Sequence, residues 1–566
     1  MSFVSVFLVA STLAAQVSGL VWTACGTGLD CTTIQVPLEY GNISSVTAAN
    51  LALIRYKATV ASTARLGSLL VNPGGPGASG VNFVAAGAGA AVSALSGGLY
   101  DIIGWDPRGV GASTPLLECF ANASAEYDFA NALPSAPNLW LGQFTNASED
   151  AAVESAISGF DASVAALADA CVAENSKALF TSSAAYNARD MLNIVDELDG
   201  TTAKLNYWGF SYGTVYLAEF IQAYPDRVGR IIADGVVDPI TNSDTYAAQL
   251  AVDQVSTRDA LNDFATFCTT AGSAGCPFAT APTGVTANVA TRMDNMQKDL
   301  FNNPIVASGL SISLDVLNPV LNSLLRVPTT WQTLASVLCD LEARNGTSMI
   351  ALLTSLASAA PTNGSAAGVG TLSVNPLNCI DNAPSSKITL ADVVNLTKTI
   401  SVQENTPLLN AGLTPISFCR NFPDTRALLA NAGTSNMSNT DGVLAAAKSS
   451  ILIISPSHDV ATPLKGAQTL RDLLPNSSTL AIRGGSGHTS ISHVSLGMAE
   501  AVSAFFTAGT LPADGAFFAV DQDVFPAGVT DSSLVTPAVF NGTYTTAQQA
   551  LLTATYDIGI AFLMIG

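Results

Sequence analysis

Leu205-Asn206-Tyr207-Trp208-Gly209-Phe210-Ser211-Tyr212-Gly213 is an apolar strand-like run that ends in a Gly-x-Ser-x-Gly turn. Helical spacing follows over 212–223, so the segment reads as strand, turn, helix. That arrangement sets a serine on a strained turn, hydroxyl outward, with glycines on both sides because larger residues would collide with neighbouring backbone. Ser211 is therefore the candidate nucleophile.

Outward from this turn the first half of the chain alternates strands and helices. Residues 51–55, 68–71, 100–105, 205–208 and 228–233 read as strands, and 187–198 as a helix. From about 239 the pattern turns mostly helical, and alternation resumes with a strand at 450–454, a helix at 464–474, a strand at 479–482 and a helix near 496–506. Alternation of this kind predicts a mostly parallel central sheet with helices on both faces. The expected division is a leader over 1–19, a core over 20–238, a large helical cap over 239–449, a second core segment over 450–510 and an extension over 511–566 whose structure the pattern does not place.

A serine hydroxyl needs a base. Only His458, His488 and His493 are available. His488 ends Gly484-Gly485-Ser486-Gly487-His488 directly after the last core strand, where this architecture carries its base. His493 is the reserve, better suited to packing. Asp459, in the loop after the strand at 450–454, is the acid that would orient the imidazole; the competing role, capping the next helix, falls more naturally to Thr462 before Pro463. Two backbone N–H groups must meet the developing oxyanion, one from Tyr212 and one from Asn72-Pro73-Gly74-Gly75-Pro76-Gly77. Gly74 and Gly75 are the candidates there, Gly75 preferred. That loop lacks both the dinucleotide Gly-x-Gly-x-x-Gly context and the Lys-Ser/Thr of a phosphate loop. Asp106 and Arg108 are expected to pair and brace the region.

Composition narrows the class further. With 48% apolar and 11% charged residues the chain is globular, and its formal charge of −21 disfavours nucleic acid and anionic membrane surfaces as partners. The apolar start followed by small residues reads as a secretory signal, although no basic residue precedes it. Sequons at Asn42, Asn122, Asn146, Asn345, Asn363, Asn395, Asn436, Asn476 and Asn541 suit a secreted glycoprotein. Cys25–Cys31, Cys119–Cys171, Cys268–Cys276 and Cys379–Cys419 are plausible bridges, leaving Cys339 free, although spacing alone does not fix connectivity. No Cys or His spacing suits zinc, and no further segment reads as a membrane span. No cofactor or metal is expected, and the chain reads as a monomer.

Asn72-Pro73-Gly74-Gly75-Pro76-Gly77-Ala78-Ser79-Gly80, Asp106-Pro107-Arg108-Gly109-Val110-Gly111, Trp208-Gly209-Phe210-Ser211-Tyr212-Gly213-Thr214 and Asp459-Val460-Ala461-Thr462-Pro463 together resemble the signature segments of the tripeptidyl-aminopeptidase-like branch of the prolyl aminopeptidase family, serine peptidases of the α/β-hydrolase fold. Asp234-Gly235-Val236-Val237-Asp238-Pro239 and Cys379-Ile380-Asp381 also resemble it. The resemblance implies an exopeptidase that releases short peptides or residues from free N-termini, with Ser211, Asp459 and His488 as its triad. It carries across no amine-binding carboxylate: Asp244, Asp253, Asp259 and Asp263 all remain open. An esterase of small acyl esters is the alternative enzyme, and a catalytically silent binding protein the alternative from another class.

Overall fold

The computed structural model describes residues 20–40, 47–134, 146–359, 372–382, 388–403, 413–423, 450–528 and 538–565. The expected leader, and Asn42, Asn363 and Asn436, lie outside the described residues. Ten strands form one sheet, in the order β1 (Thr23–Gly26), β2 (Leu29–Pro37), β3 (Ala48–Tyr56), β5 (Asp101–Trp105), β4 (Ser68–Asn72), β6 (Leu205–Phe210), β7 (Val228–Asp234), β10 (Ile451–His458), β11 (Ser478–Ser486) and β12 (Ala516–Phe518). β8 (Ile305–Ala307) and β9 (Leu310–Ile312) form a separate hairpin. The β1–β2, β2–β3 and β3–β5 pairs are antiparallel, and every pair from β5 to β12 is parallel.

The inner strands are apolar on both faces because helices cover both. Leu70, Ile103, Tyr207, Ile231 and Ile453 enter one cluster, and the alternate residues Leu69, Val71, Ile102, Trp208, Ile232, Leu452 and Ile454 enter the other. Such a sheet gathers its functional loops at the carboxyl ends of its strands. The loop from Pro73 follows β4, Ser211 follows β6, Asp459 follows β10 and His488 follows β11, so the four segments meet along one rim.

The helical part draws on more of the chain than 239–449. Helix Ala147–Phe180 buries Ile157, Phe160, Val164 and Leu167 against Leu377, Ile416 and Phe418, so a segment inside 20–238 packs with the cap residues. Its stretch Ala147–Glu174 is long and apolar enough to cross a bilayer, but Ile157, Phe160, Val164 and Leu167 are taken up in this cluster. The stretch after 510 also has a definite place. It supplies edge strand β12, inserts Val524 and Phe525 among the helices of 260–352, and ends in helix Thr546–Ile565.

The four expected cysteine pairs all lie at bonding distance, and Cys339 is free. The expected Asp106–Arg108 pair does not form. Arg108 turns to Asp190, with Nε donating to Oδ2 at 2.6 Å and Nη2 to Oδ1 at 2.8 Å, while Nη1 and Nη2 donate to the Leu38 and Pro37 carbonyls. Asp106 instead accepts from Ser79 Oγ, Val81 N and Ala112 N. The partner came from helix Ala184–Asp199, which offers a carboxylate in bidentate geometry that the short 106–108 span cannot match. Both members are buried, Arg108 at 2% and Asp190 at 0% side-chain exposure, and removing one partner strands a buried charge. Asp190→Ala should lower the unfolding free energy by about 3–5 kcal/mol in chemical denaturation.

Candidate active site

Ser211 adopts φ 53°, a left-handed conformation unusual for a residue with a side chain, so strain is present at the turn where it was expected. The turn holds because Ser211 N donates to Asp234 O (3.0 Å) and Thr214 N and Oγ1 both donate back to Ser211 O. A Cβ on Gly213 would come within 2.9 Å of Asn72 O, and one on Gly209 would overlap the Tyr207 ring. Ser211 is 8% exposed, and among the described residues its hydroxyl makes no hydrogen bond. In free enzymes the contact from nucleophile to base commonly tightens only when substrate binds.

The loop after β4 folds over this turn. Gly74 lies so close that a Cβ there would overlap Phe210 O and stand 2.7 Å from Tyr212 N. Gly74 N donates to Asn72 Oδ1 at 2.9 Å, which removes it as an oxyanion donor. Gly75 N and Tyr212 N have no partner among the described residues. Of the two expected donors, Gly74 N is thus engaged by the Asn72 side chain and Gly75 N is left unpaired among the described residues.

His488 and Asp459 are brought together. His488 Nδ1 stands 2.9 Å from Asp459 Oδ1 and 3.0 Å from Oδ2. Asp459 Oδ1 also accepts from Ala461 N and Thr462 N, and Oδ2 from Thr489 N. Burial pushes this carboxyl upward, but the His488 charge and these N–H groups outweigh it and hold the acid below its ordinary value. Asp459 therefore orders its own turn as well as the imidazole. Thr462 does not cap the following helix, whose N-cap is Pro463 with no side-chain bond.

The other histidines take structural places. His493 is fully buried, its Nε2 at 3.1 Å from Gln522 O, and burial beside Arg483 drives it down to about 3, so it stays neutral. His458 Nδ1 meets Asp263 Oδ2 at 2.8 Å, which raises its basicity, and Ser486 Oγ donates to the same oxygen. Asp263 is thereby committed, Asp244 accepts from Thr245 N at the exposed surface, and Asp259 is exposed.

Two supports of the base loop were missed from sequence. Arg483 is wholly buried, and its Nη1 and Nη2 donate to the carbonyls of Gly484, Ser486 and Thr489 and to Ser492 Oγ, stapling the loop from within. Asp234, at the end of β7, accepts from Ser490 N and Oγ; burial pushes it up to about 6. A charged residue inside an apolar strand was the one available hint for Arg483.

No group of three or more metal-ligating side chains occurs among the described residues. A left-handed serine at the end of a parallel strand, on the same rim as an imidazole that a buried carboxylate orients, is the arrangement of the α/β-hydrolase fold, and the protein is a serine hydrolase. The α/β hydrolase fold family matches residues 67–316 and the TAP-like protein family residues 428–517. Serine protease Hip1 of Mycobacterium tuberculosis is 28% identical over 88% of this chain and 90% of its own length. Carboxylesterase B of the same organism is 29% identical over 85% of each chain. Tripeptidyl aminopeptidase of Streptomyces lividans is 30% identical over 42% of each.

Gly74→Ala, by driving a methyl group into the Phe210 carbonyl, should abolish labelling of Ser211 by a fluorophosphonate probe while the far-ultraviolet circular dichroism stays unchanged.

Proposed function

We propose that this protein is a secreted exopeptidase that releases short peptides or single residues from free N-termini through an acyl-enzyme. The observation that carries the reading is the buried Asp459–His488 pair on the same rim as the strained Ser211. Ser211 Oγ attacks the substrate carbonyl and passes its proton to His488, while Asp459 fixes the tautomer and stabilises the imidazolium. The Gly75 and Tyr212 N–H groups receive the oxyanion. His488 then gives its proton to the departing amine, and water resolves the ester. An imidazole must be neutral to take the proton, so activity falls on the acid side. His488→Ala should reduce kcat by about 10⁴-fold or more.

Two relatives named as peptidases, Hip1 and tripeptidyl aminopeptidase, favour peptide substrates. Of the four candidate amine acceptors, Asp253 best suits the role. Burial pushes its carboxyl up to about 8, with Gln249 and Arg326 only partly offsetting, and it lies within electrostatic reach of Asp459. A substrate ammonium would favour the ionised form, so KM for a free-amine substrate should fall as pH rises toward about 8. Asp253→Asn should raise that KM about tenfold or more and leave the KM of an N-blocked ester unmoved.

Secretion is supported by the four disulfides, which persist in oxidising compartments, and by the sequons. Asn122, Asn146, Asn345, Asn395, Asn476 and Asn541 are all exposed.

The second reading, an esterase of small acyl esters, is favoured by the relative named carboxylesterase B. Hydrolysis of a peptide anilide with a free amine, set against its N-blocked twin, separates the two. A preference for the free amine of at least about tenfold is expected, and equal rates would transfer the protein to the esterase reading.

A further inference from the structure

Helix Thr546–Ile565 docks on the machinery of the site. Gly559 meets the base loop so closely that a Cβ there would overlap the Ile491 carbonyl oxygen. Three residues on, the Phe562 ring stands edge-on to Phe210 at 6.0 Å and to Phe83 at 6.4 Å, and its centroid is 5.8 Å from that of the His488 imidazole. Phe210 immediately precedes Ser211, and Phe83 lies in the helix that follows the 72–77 loop. A single side chain thus adjoins the segments bearing the nucleophile, the oxyanion donor and the base.

Beside His488 this helix closes a cavity of about 310 Å³, at the lower end of the ~300–1,000 Å³ common among ligand sites. Phe562, Leu563, Ile491, Val327 and Pro319 make it mainly apolar. Arg326 supplies the polar corner: its Nε donates to Asn322 Oδ1 at 3.1 Å, and its two terminal amino groups have no hydrogen-bond partner among the described residues. Ser211, Tyr212 and Gly75 are not among the lining residues. The imidazole hands its proton to the departing amine. The cavity is bordered by the imidazole and not by the nucleophile or the oxyanion donors.

We propose that this cavity is the leaving-group subsite. It receives an apolar side chain on the residue that follows the scissile bond, Phe562 and Leu563 form its wall, and Arg326 meets a carbonyl oxygen of the leaving segment. The proposal rests on the acyl-enzyme reading above and adds to it the chemistry of the departing residue.

Run in reverse, the same subsite should select the amine that captures the acyl-enzyme. The amine nitrogen attacks the acyl carbon, the bond from that carbon to Ser211 Oγ breaks, and the amine proton passes through His488 to the Ser211 oxygen. With an N-blocked ester and a free-amine anilide as separate donors, the purified full chain is offered glycinamide or leucinamide, and amide product is compared with acid product. That ratio does not depend on how much of a variant folds. Leucinamide should exceed glycinamide by about tenfold or more, from burial of one Leu side chain. Phe562→Ala and Leu563→Ala should cut this preference to about threefold or less, and Phe562→Leu should restore part of it. Equal capture of the two amides, or a preference that survives both Ala variants, would overturn the subsite. Equal use of the two donors would instead overturn the exopeptidase reading and leave the capture ratio interpretable. Failure of both donors to acylate Ser211 would remove both.

Discussion

An ionised carboxylate with no exposure to water is tolerable only where hydrogen-bond donors surround it, and around Asp459 those donors come from two loops. Ala461 N and Thr462 N belong to its own turn, whereas His488 Nδ1 and Thr489 N belong to the turn after the neighbouring strand. The charge therefore cannot be buried unless β10 and β11 deliver both turns in register, as their parallel pairing does through His458 and Ser486. Gly235, at φ 66°, lies beneath the pair, where a Cβ would press on Thr489 Cγ2 and Thr462 Oγ1. Arg483 and Asp234 then fix the base loop from its other side. The catalytic geometry is in this sense the solution to a solvation problem.

What sequence reveals here follows from how local the signal is. Ser211 was legible because one strand, one turn and one helix occupy consecutive residues, with steric demands that only glycine meets. Asp459 and His488 were legible because each follows an apolar strand and few histidines compete. Arg108 was misread for the opposite reason. Its nearest carboxylate in sequence, Asp106, is drawn off by Ser79 Oγ and two N–H groups, and the true partner lies 82 positions away. That Gly74 N would be taken up turns on an equally fine point, the rotamer of Asn72.

The boundary at 239 was legible as a loss of strand–helix alternation, but not as the edge of a packing unit. Helix Ala147–Phe180 carries no strong amphipathic stripe, and only the presence of Leu377, Ile416 and Phe418 shows which way it faces. Residues beyond 510 were opaque because β12 is three residues long, too short for periodicity to register. Helix Thr546–Ile565 is apolar over most of its length, so its spacing did not tell a docked helix from other apolar segments.

The distribution of the crosslinks has a bearing on what a reducing environment would do. Cys119–Cys171 and Cys379–Cys419 lie in the helical cluster around Phe160 and Phe418, Cys268–Cys276 closes a turn among the helices of 260–352, and only Cys25–Cys31 touches the sheet, at its outermost hairpin. None joins the strands that carry Ser211, Asp459 and His488. A thiol would loosen the walls of the catalytic chamber long before it reached the floor, leaving a reactive serine in a vessel that has lost its shape.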